Sequence, residues 1–169
     1  MNGEVLKLLN EQINKEFYSA YFYLGIANYY IGKNLNGFGN WFNIQAQEER
    51  DHALLFLQYL QNNGAPVTLT DIKAASIEYK DLSTPLDATY AHELTVTASI
   101  NNIYSVALAD KDFRTTQFLD WFIKEQGEEE KNADELIKKF ELFGQDGKGL
   151  YLLDSELAAR VYTAPSLVL

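Results

Sequence analysis

Four helix-length stretches of this 169-residue chain each carry an apolar stripe at seven-residue spacing, and in the middle of each stripe stands a glutamate. In the first stretch the rows read Leu6, Ile13, Ala20, Ala27 and Leu9, Glu16, Tyr23, Tyr30. The second gives Phe42, Glu49, Phe56 beside Ala46, Ala53, Leu60, and the third gives Leu86, Glu93, Ile100, Ala107 beside Val96 and Ile103. The fourth gives Phe122, Glu129, Leu136, Phe143 beside Leu119, Gln126, Ala133, Phe140. Heptad spacing keeps side chains on one side of a helix, so Glu16, Glu49, Glu93 and Glu129 are expected to face one shared interior. Buried carboxylates without counter-charge each cost kcal/mol or are held neutral by a raised pKa. Bound cations resolve that conflict.

The rest of the chain is consistent with one soluble helical domain over residues 1–169. Hydrophobic residues are 47% and charged residues 22%, a globular balance. No run approaches the roughly 20 apolar residues of a membrane-spanning helix, and Met1 to Lys7 lack the layout of a secretory signal. No membrane partner is expected, and the cytoplasm is the expected compartment. The absence of cysteine removes disulfides, thiolate nucleophiles and zinc–cysteine or iron–sulfur sites. Any metal must therefore sit on oxygen and nitrogen. A net charge of -10 argues against a nucleic-acid surface and suits attraction of cations.

The first helix is predicted from about Glu4 to Ile31, ending in the turn Gly32 to Gly37, whose glycines and asparagines supply positive φ. The second runs to Asn63, stopped by Gly64 and Pro66. About twenty residues follow, to Thr84, with a weakly alternating piece at Val67 to Thr70. So long a connection needs a reason: it spans the length of a helix, roughly 40 Å for 27 residues, and makes the second and third helices parallel. Thr84 as N-cap, Pro85 at the first helical position and Asp87 open the third helix, which ends near Asp110. A tight turn at Lys111 and Asp112 leads to the fourth, ending at Phe143 and Gly144. A short fifth segment runs from Leu150 to about Thr163, stopped by Pro165. The prediction is an all-α four-helix bundle with a long crossover between helices 2 and 3 and a short fifth C-terminal helix.

Glu49 and His52 form a Glu-x-x-His pair, and residues three apart on a helix can reach one ion. Alone the pair is weak evidence; with inward acids at the middle of three other stripes it becomes strong. Di-iron bundles, for which ferritin-like proteins are the type example, use one Glu from each of two helices and a Glu-x-x-His from each of the other two. Glu16 and Glu93 fill the single-Glu positions, and Glu49 with His52 one of the pairs. The fourth helix departs from this pattern, offering Gln126 and Glu129. Four inner carboxylates match the charge of two divalent ions, and only Glu49 is well placed to bridge them. An oxygen-rich site with one imidazole suits iron(II) or manganese(II) better than copper or zinc.

The chain resembles the bacterial non-haem ferritins over almost its whole length. The resemblance is carried by Asn14 to Tyr23, Gln47 to His52, His92 and Glu93, Trp121 and Glu125 to Lys131, and the Gln126 variant is the one that family shows. It implies a ferritin-like fold and a ferroxidase centre, with one iron site of Glu16, Glu49 and His52 and a second of Glu49, Glu93 and Glu129 with Gln126 alongside. It implies also a homo-oligomeric shell of 24 subunits storing ferric mineral, with iron(II) and dioxygen or peroxide as substrates. Glu48, Glu125 and Glu128 lie just beside the inner positions and read either as an acidic solvated face or, by the resemblance, as a third iron site sharing Glu129. Tyr23 reads either as core packing with its phenol hydrogen-bonded to a carboxylate or, by the resemblance, as a residue supporting oxygen reduction. Trp121 is a core residue or a further electron donor, and His92 is expected at solvent or an interface. Tyr18, Tyr21 and Tyr29 cannot all face the core and suggest a subunit contact, as does the apolar end Ala164 to Leu169.

Among relatives on the same bundle, methionine only at Met1 leaves no ligand for the haem of bacterioferritin. The absence of cysteine excludes a rubrerythrin. Four in-bundle acids and a fifth helix separate the chain from Dps-type miniature ferritins, and a single Glu-x-x-His separates it from hydroxylases and ribonucleotide-reductase subunits. The reading from a different class is a non-catalytic divalent-metal-binding or structural oligomer.

Overall fold

Each stripe forms one long helix in the computed structural model, which describes residues 1–76 and 78–169. The helices are α1 (Gly3–Ile31), α2 (Asn36–Asn62), α3 (Thr84–Ala109) and α4 (Phe113–Phe143), followed by the short α5 (Gly147–Leu157). α1 packs chiefly on α2 and α3 chiefly on α4, so two antiparallel pairs close one interior. α3 also runs antiparallel to α1, because Lys15 pairs with Ser99 and Tyr30 reaches the Leu82 carbonyl just before α3 begins. α2 and α3 are therefore parallel, as the long connection requires.

That connection lies along α1. Asn10 donates to the Pro66 carbonyl and accepts from the Thr68 amide, and Asn14 donates to the carbonyls of Thr70 and Asp71. Gly25 lets it come close: a Cβ there would stand 2.6 Å from the Ser76 oxygen. Among the described residues the alternating piece Val67 to Thr70 forms no strand. Its backbone polar groups are bound by α1 asparagines in place of a partner strand.

Three boundaries differ from expectation. Thr84 is not the N-cap of α3. It is the first helical residue, and the Asp81 carboxylate caps the end by accepting from the amides of both Ser83 and Thr84 and from both hydroxyls. These donors pull the Asp81 pKa down to about 2. α5 begins earlier, because Asp146 accepts from the amides of Lys148 and Gly149, and it ends at Leu157, well before Pro165. In the α1–α2 turn only Asn34 takes positive φ, since Gly32 is right-handed and Gly37 lies inside α2. Gly64 and Lys111 do take positive φ, at the ends of α2 and α3.

The core is divided. One apolar cluster gathers Tyr23, Ile26, Tyr30, Phe38, Phe42 and Phe140 with Leu153 and Leu157 of α5. The other gathers Leu9, Ile13, Phe56, Ile100, Leu119 and Phe122. Between them lies a buried polar belt that includes all four stripe glutamates. No helix among the described residues is long and apolar enough to cross a membrane.

Candidate di-metal site

The helical rows deliver Glu16, Glu49, Glu93 and Glu129 into the belt, each at most 5% exposed, with His52 at 2%. Donor atoms of Glu16, Glu49 and His52 all lie within 4.8 Å of one another, a spacing one ion can span. His52 Nδ1 stands 3.5 Å from Glu49 Oε2. One oxygen of Glu16 accepts from Gln12 Nε2 at 2.8 Å, while the other is buried with no hydrogen-bond partner. A carboxylate oxygen left bare inside a core is costly, and here it belongs to the group of donors that could hold a cation.

Glu93 is held differently. Tyr23 donates its phenol proton to Glu93 Oε1, and Gln126 Nε2 donates to Oε2 at 3.1 Å. Glu129 accepts from Gln45 Nε2 at 2.6 Å, and the same amide nitrogen lies 3.5 Å from Glu49 Oε1. Among the described residues Glu93 joins no group of three acidic or imidazole donors within one-ion spacing, whereas Glu129 does so with His52 and Glu125. The belt is therefore unequal: Glu16, Glu49 and Glu129 each join a gathered donor group, while Glu93 is tethered to a tyrosine and an amide.

Burial raises the pKa of all four glutamates. For Glu49 it acts together with the nearby charges of Glu93 and Glu16, and for Glu129 with those of Glu93 and Glu49, carrying both well above the ordinary range. In Glu16 burial is partly offset by His52 and the Gln12 hydrogen bond, and in Glu93 by the bonds from Tyr23 and Gln126. Each shift favours the protonated carboxyl, so an arriving ion competes with protons for these oxygens. Tyr23 is itself shifted well upward by burial and by Glu93, so its hydroxyl remains a donor.

Glu48, Glu125 and Glu128 line one cavity of about 270 Å³ together with His52 and Glu129. Glu48 is ion-paired with Arg160 at 2.5 Å, Glu125 lies 4.0 Å from His52 Nε2, and the exposed Glu128 pairs with Lys124. Trp121 sets its ring edge-on to His52 at 5.5 Å and donates to Ser166 Oγ.

His92 is only partly open to solvent. Its Nε2 meets Ser19 Oγ at 2.8 Å and its ring lies against Tyr18, Phe22 and Tyr23, an enclosure that lowers its pKa to about 4. Small Ser19 leaves room for the ring between α1 and α3. Of the three α1 tyrosines expected at a contact, Tyr18 and Tyr29 pack within the chain against Phe22 and against Tyr30 and Tyr79; only Tyr21 is open.

Sequence reasoning missed Gln12, Gln45 and Arg160. The first two had a signal: each stands four residues before a stripe glutamate, on the same helical row. Arg160 had none, since it reaches α2 from beyond α5.

The model of the ferritin-like domain family matches residues 6–143. A bacterial non-heme ferritin of Campylobacter jejuni is 40% identical over 154 residues, covering 91% of this chain and 92% of that protein. A probable bacterial non-heme ferritin-like protein of Haemophilus influenzae is 35% identical, covering 93% and 95%. Among solved structures, an open pore ferritin of Archaeoglobus fulgidus superposes with a TM-score of 0.93 at 37% identity, covering 95% of this chain and 98% of that one. An engineered closed form of the Archaeoglobus fulgidus ferritin gives 0.94 at 37% identity.

Proposed function

The chain belongs to the ferritin family, and from that membership together with its buried donors we propose that it oxidises iron(II) at the polar belt and stores the ferric product in an oligomeric shell. The observation that carries the reading is the gathered trio Glu16, Glu49 and His52 with an unpartnered buried carboxylate oxygen. In this reading Glu16 and His52 hold one iron(II), Glu93 and Glu129 with Gln126 hold a second, and Glu49 lies between them as the bridge. Four ionised carboxylates balance the charge of two such ions, and the protons they held leave as the ions enter. Each iron(II) gives up one electron, and dioxygen or peroxide receives the pair. Iron is substrate and cargo here, with no haem.

Tyr23 positions Glu93 by its hydrogen bond, and Gln45 positions Glu129; groups of this kind fix the orientation of metal ligands. The unequal ends suit transfer onward: Glu93, held by Tyr23 and Gln126, stands outside the gathered donor groups, so an ion it shares with Glu129 is held less firmly. A third ion among Glu48, Glu125, Glu128 and Glu129 would stand next on the route. We extend the reading to one functional domain over residues 1–169, a 24-subunit shell and a cytoplasmic setting, with neither nucleic acid nor membrane as partner.

The test is anaerobic loading with two iron(II) per chain followed by an oxygen pulse, read as ferric absorbance. Rapid oxidation in the parent and its loss in Glu49→Ala are expected. If Glu49→Ala matches the parent, or the parent binds iron(II) without oxidising it, the site merely buffers cations and the ferroxidase reading fails.

A further inference from the structure

The chain beyond α5 returns across the face formed by α2 and α4, over the outer acidic cluster. Three side chains fasten it there. Arg160 donates Nη1 to the Trp41 carbonyl at 3.2 Å and to Gln45 Oε1 at 3.0 Å, donates Nη2 to Glu48 at 2.5 Å, and lays its guanidinium 4.4 Å from the Trp41 ring centre. Tyr162 donates to the Asp51 carboxylate, and Ser166 accepts from Trp121 on α4. Leu167 adds an apolar contact to the second core cluster. Beneath this segment is the cavity whose walls include Glu48, Glu125 and Glu128 on one side and Thr163 to Ser166 on the other, with His52 and Glu129 at its inner limit.

We propose that Arg160 to Ser166 form a strap that closes the outer acidic cluster, with the Arg160 guanidinium standing as the built-in cation of Glu48, so that a metal ion takes a third position there only by displacing Arg160. The proposal deepens the function given above and rests on the bundle's binding divalent ions.

Two features make the contact more than a surface ion pair. Guanidinium is permanently charged and forked, and the Arg160–Glu48 pair is mostly enclosed, at 20% and 17% exposure, where screening is weaker than at an open surface. An ion arriving at Glu48 therefore meets a competitor of fixed charge. Secondly, Arg160 grips the oxygen end of the Gln45 amide while the nitrogen end donates to Glu129. An amide has one accepting and one donating end, so Arg160 holds Gln45 in the orientation that restrains Glu129. Releasing the strap frees Glu129 from that restraint, and one movement opens the outer position and loosens the inner ligand.

The full-length chain is titrated anaerobically with zinc(II), a redox-inert probe, by calorimetry. The parent is expected to bind two ions per chain firmly and a third at least tenfold more weakly than Arg160→Gln does, with the ion at Glu16, Glu49 and His52 unchanged by the substitution and the one at Glu129 weakened. Arg160→Lys, which keeps the charge, should leave the third ion weak, and adding Glu48→Gln to Arg160→Gln should remove it. A third ion of equal affinity in parent and Arg160→Gln overturns the strap, as does one that survives in the Arg160→Gln, Glu48→Gln double variant. Failure of the parent to bind the first two ions would instead strike at the function on which the proposal rests.

Discussion

Glu49 concentrates the conflict that organises this molecule, because the residue proposed to bridge the ions is also, with Glu129, one of the two whose ionisation the bare fold resists most. Its pKa is raised by burial and by Glu93 and Glu16. Between the unfolded carboxylate value near 4.5 and the raised folded value, the folded state keeps a proton that the unfolded chain has lost. Stability of the metal-free protein therefore falls as pH rises through that window. Glu49→Gln removes the liability and is expected to stabilise metal-free protein at pH 7.5 by about 1–4 kcal/mol, with no gain at pH 4.5. Thermal unfolding at the two pH values, with chelator, measures this, and a Tm difference independent of pH would refute it. Adding zinc(II) should reverse the order, since the variant loses its bridge. Gln45→Leu leaves every proposed ligand in place but removes the donor to Glu129; a loss of metal affinity of about 10–100-fold is expected, read by the same titration. The stripe glutamates were legible because helical periodicity alone turns them inward. Arg160 was not, because its partners on α2 lie more than a hundred positions earlier and no local pattern links them.

The elements themselves followed from periodicity, but their ends depended on contacts that no window of sequence contains. α2 begins at Asn36 after Leu35, which offers no capping side chain; the cap comes from Asp154 of α5, whose Oδ1 accepts from the Phe38 amide at 3.0 Å. Gly37 makes the docking possible, since a Cβ there would come within 1.7 Å of the Asp154 carbonyl oxygen. Asp154→Ala should cost about 1 kcal/mol, the usual value of a lost N-cap. Gly37→Ala should cost about 1–3 kcal/mol as an overpacked contact, and should detach α5. Hydrogen exchange would localise both effects to the first turn of α2 and to α5, with the centre of the bundle unchanged; protection lost evenly along α2 would refute the trans cap. The same dependence explains α3, where Thr84 has the residue type of an N-cap but Asp81, three positions earlier, folds back to take all four donors.

In the whole molecule, the donors of the proposed site all come from one chain, whereas storage needs many copies, and the surface shows where copies would meet. Tyr21, Leu24 and Ile31 form an exposed apolar row along α1, between 45% and 51% open, at the i, i+3, i+10 spacing of one helical face. The row is open while the α1 side chains of the polar belt are buried, so the two can be separated by substitution. Tyr21→Lys with Leu24→Glu places charges on the row without touching a ligand or its hydrogen-bond partners. Gel filtration with light scattering should show the parent as a particle of several hundred kDa and the double variant as a much smaller species. Stopped-flow oxidation of the first two iron(II) per chain should survive in that small species, because Glu16, Glu49, His52, Glu93 and Glu129 remain in one bundle. Iron retained per chain after many additions should collapse to a few ions, with the excess precipitating, because no enclosed space remains to hold it. A small species that has lost the first oxidation as well would mean that the site is completed only by a neighbouring copy. A variant that keeps the parent's size would place the contact on another face, such as the one bearing Leu142 and Tyr151.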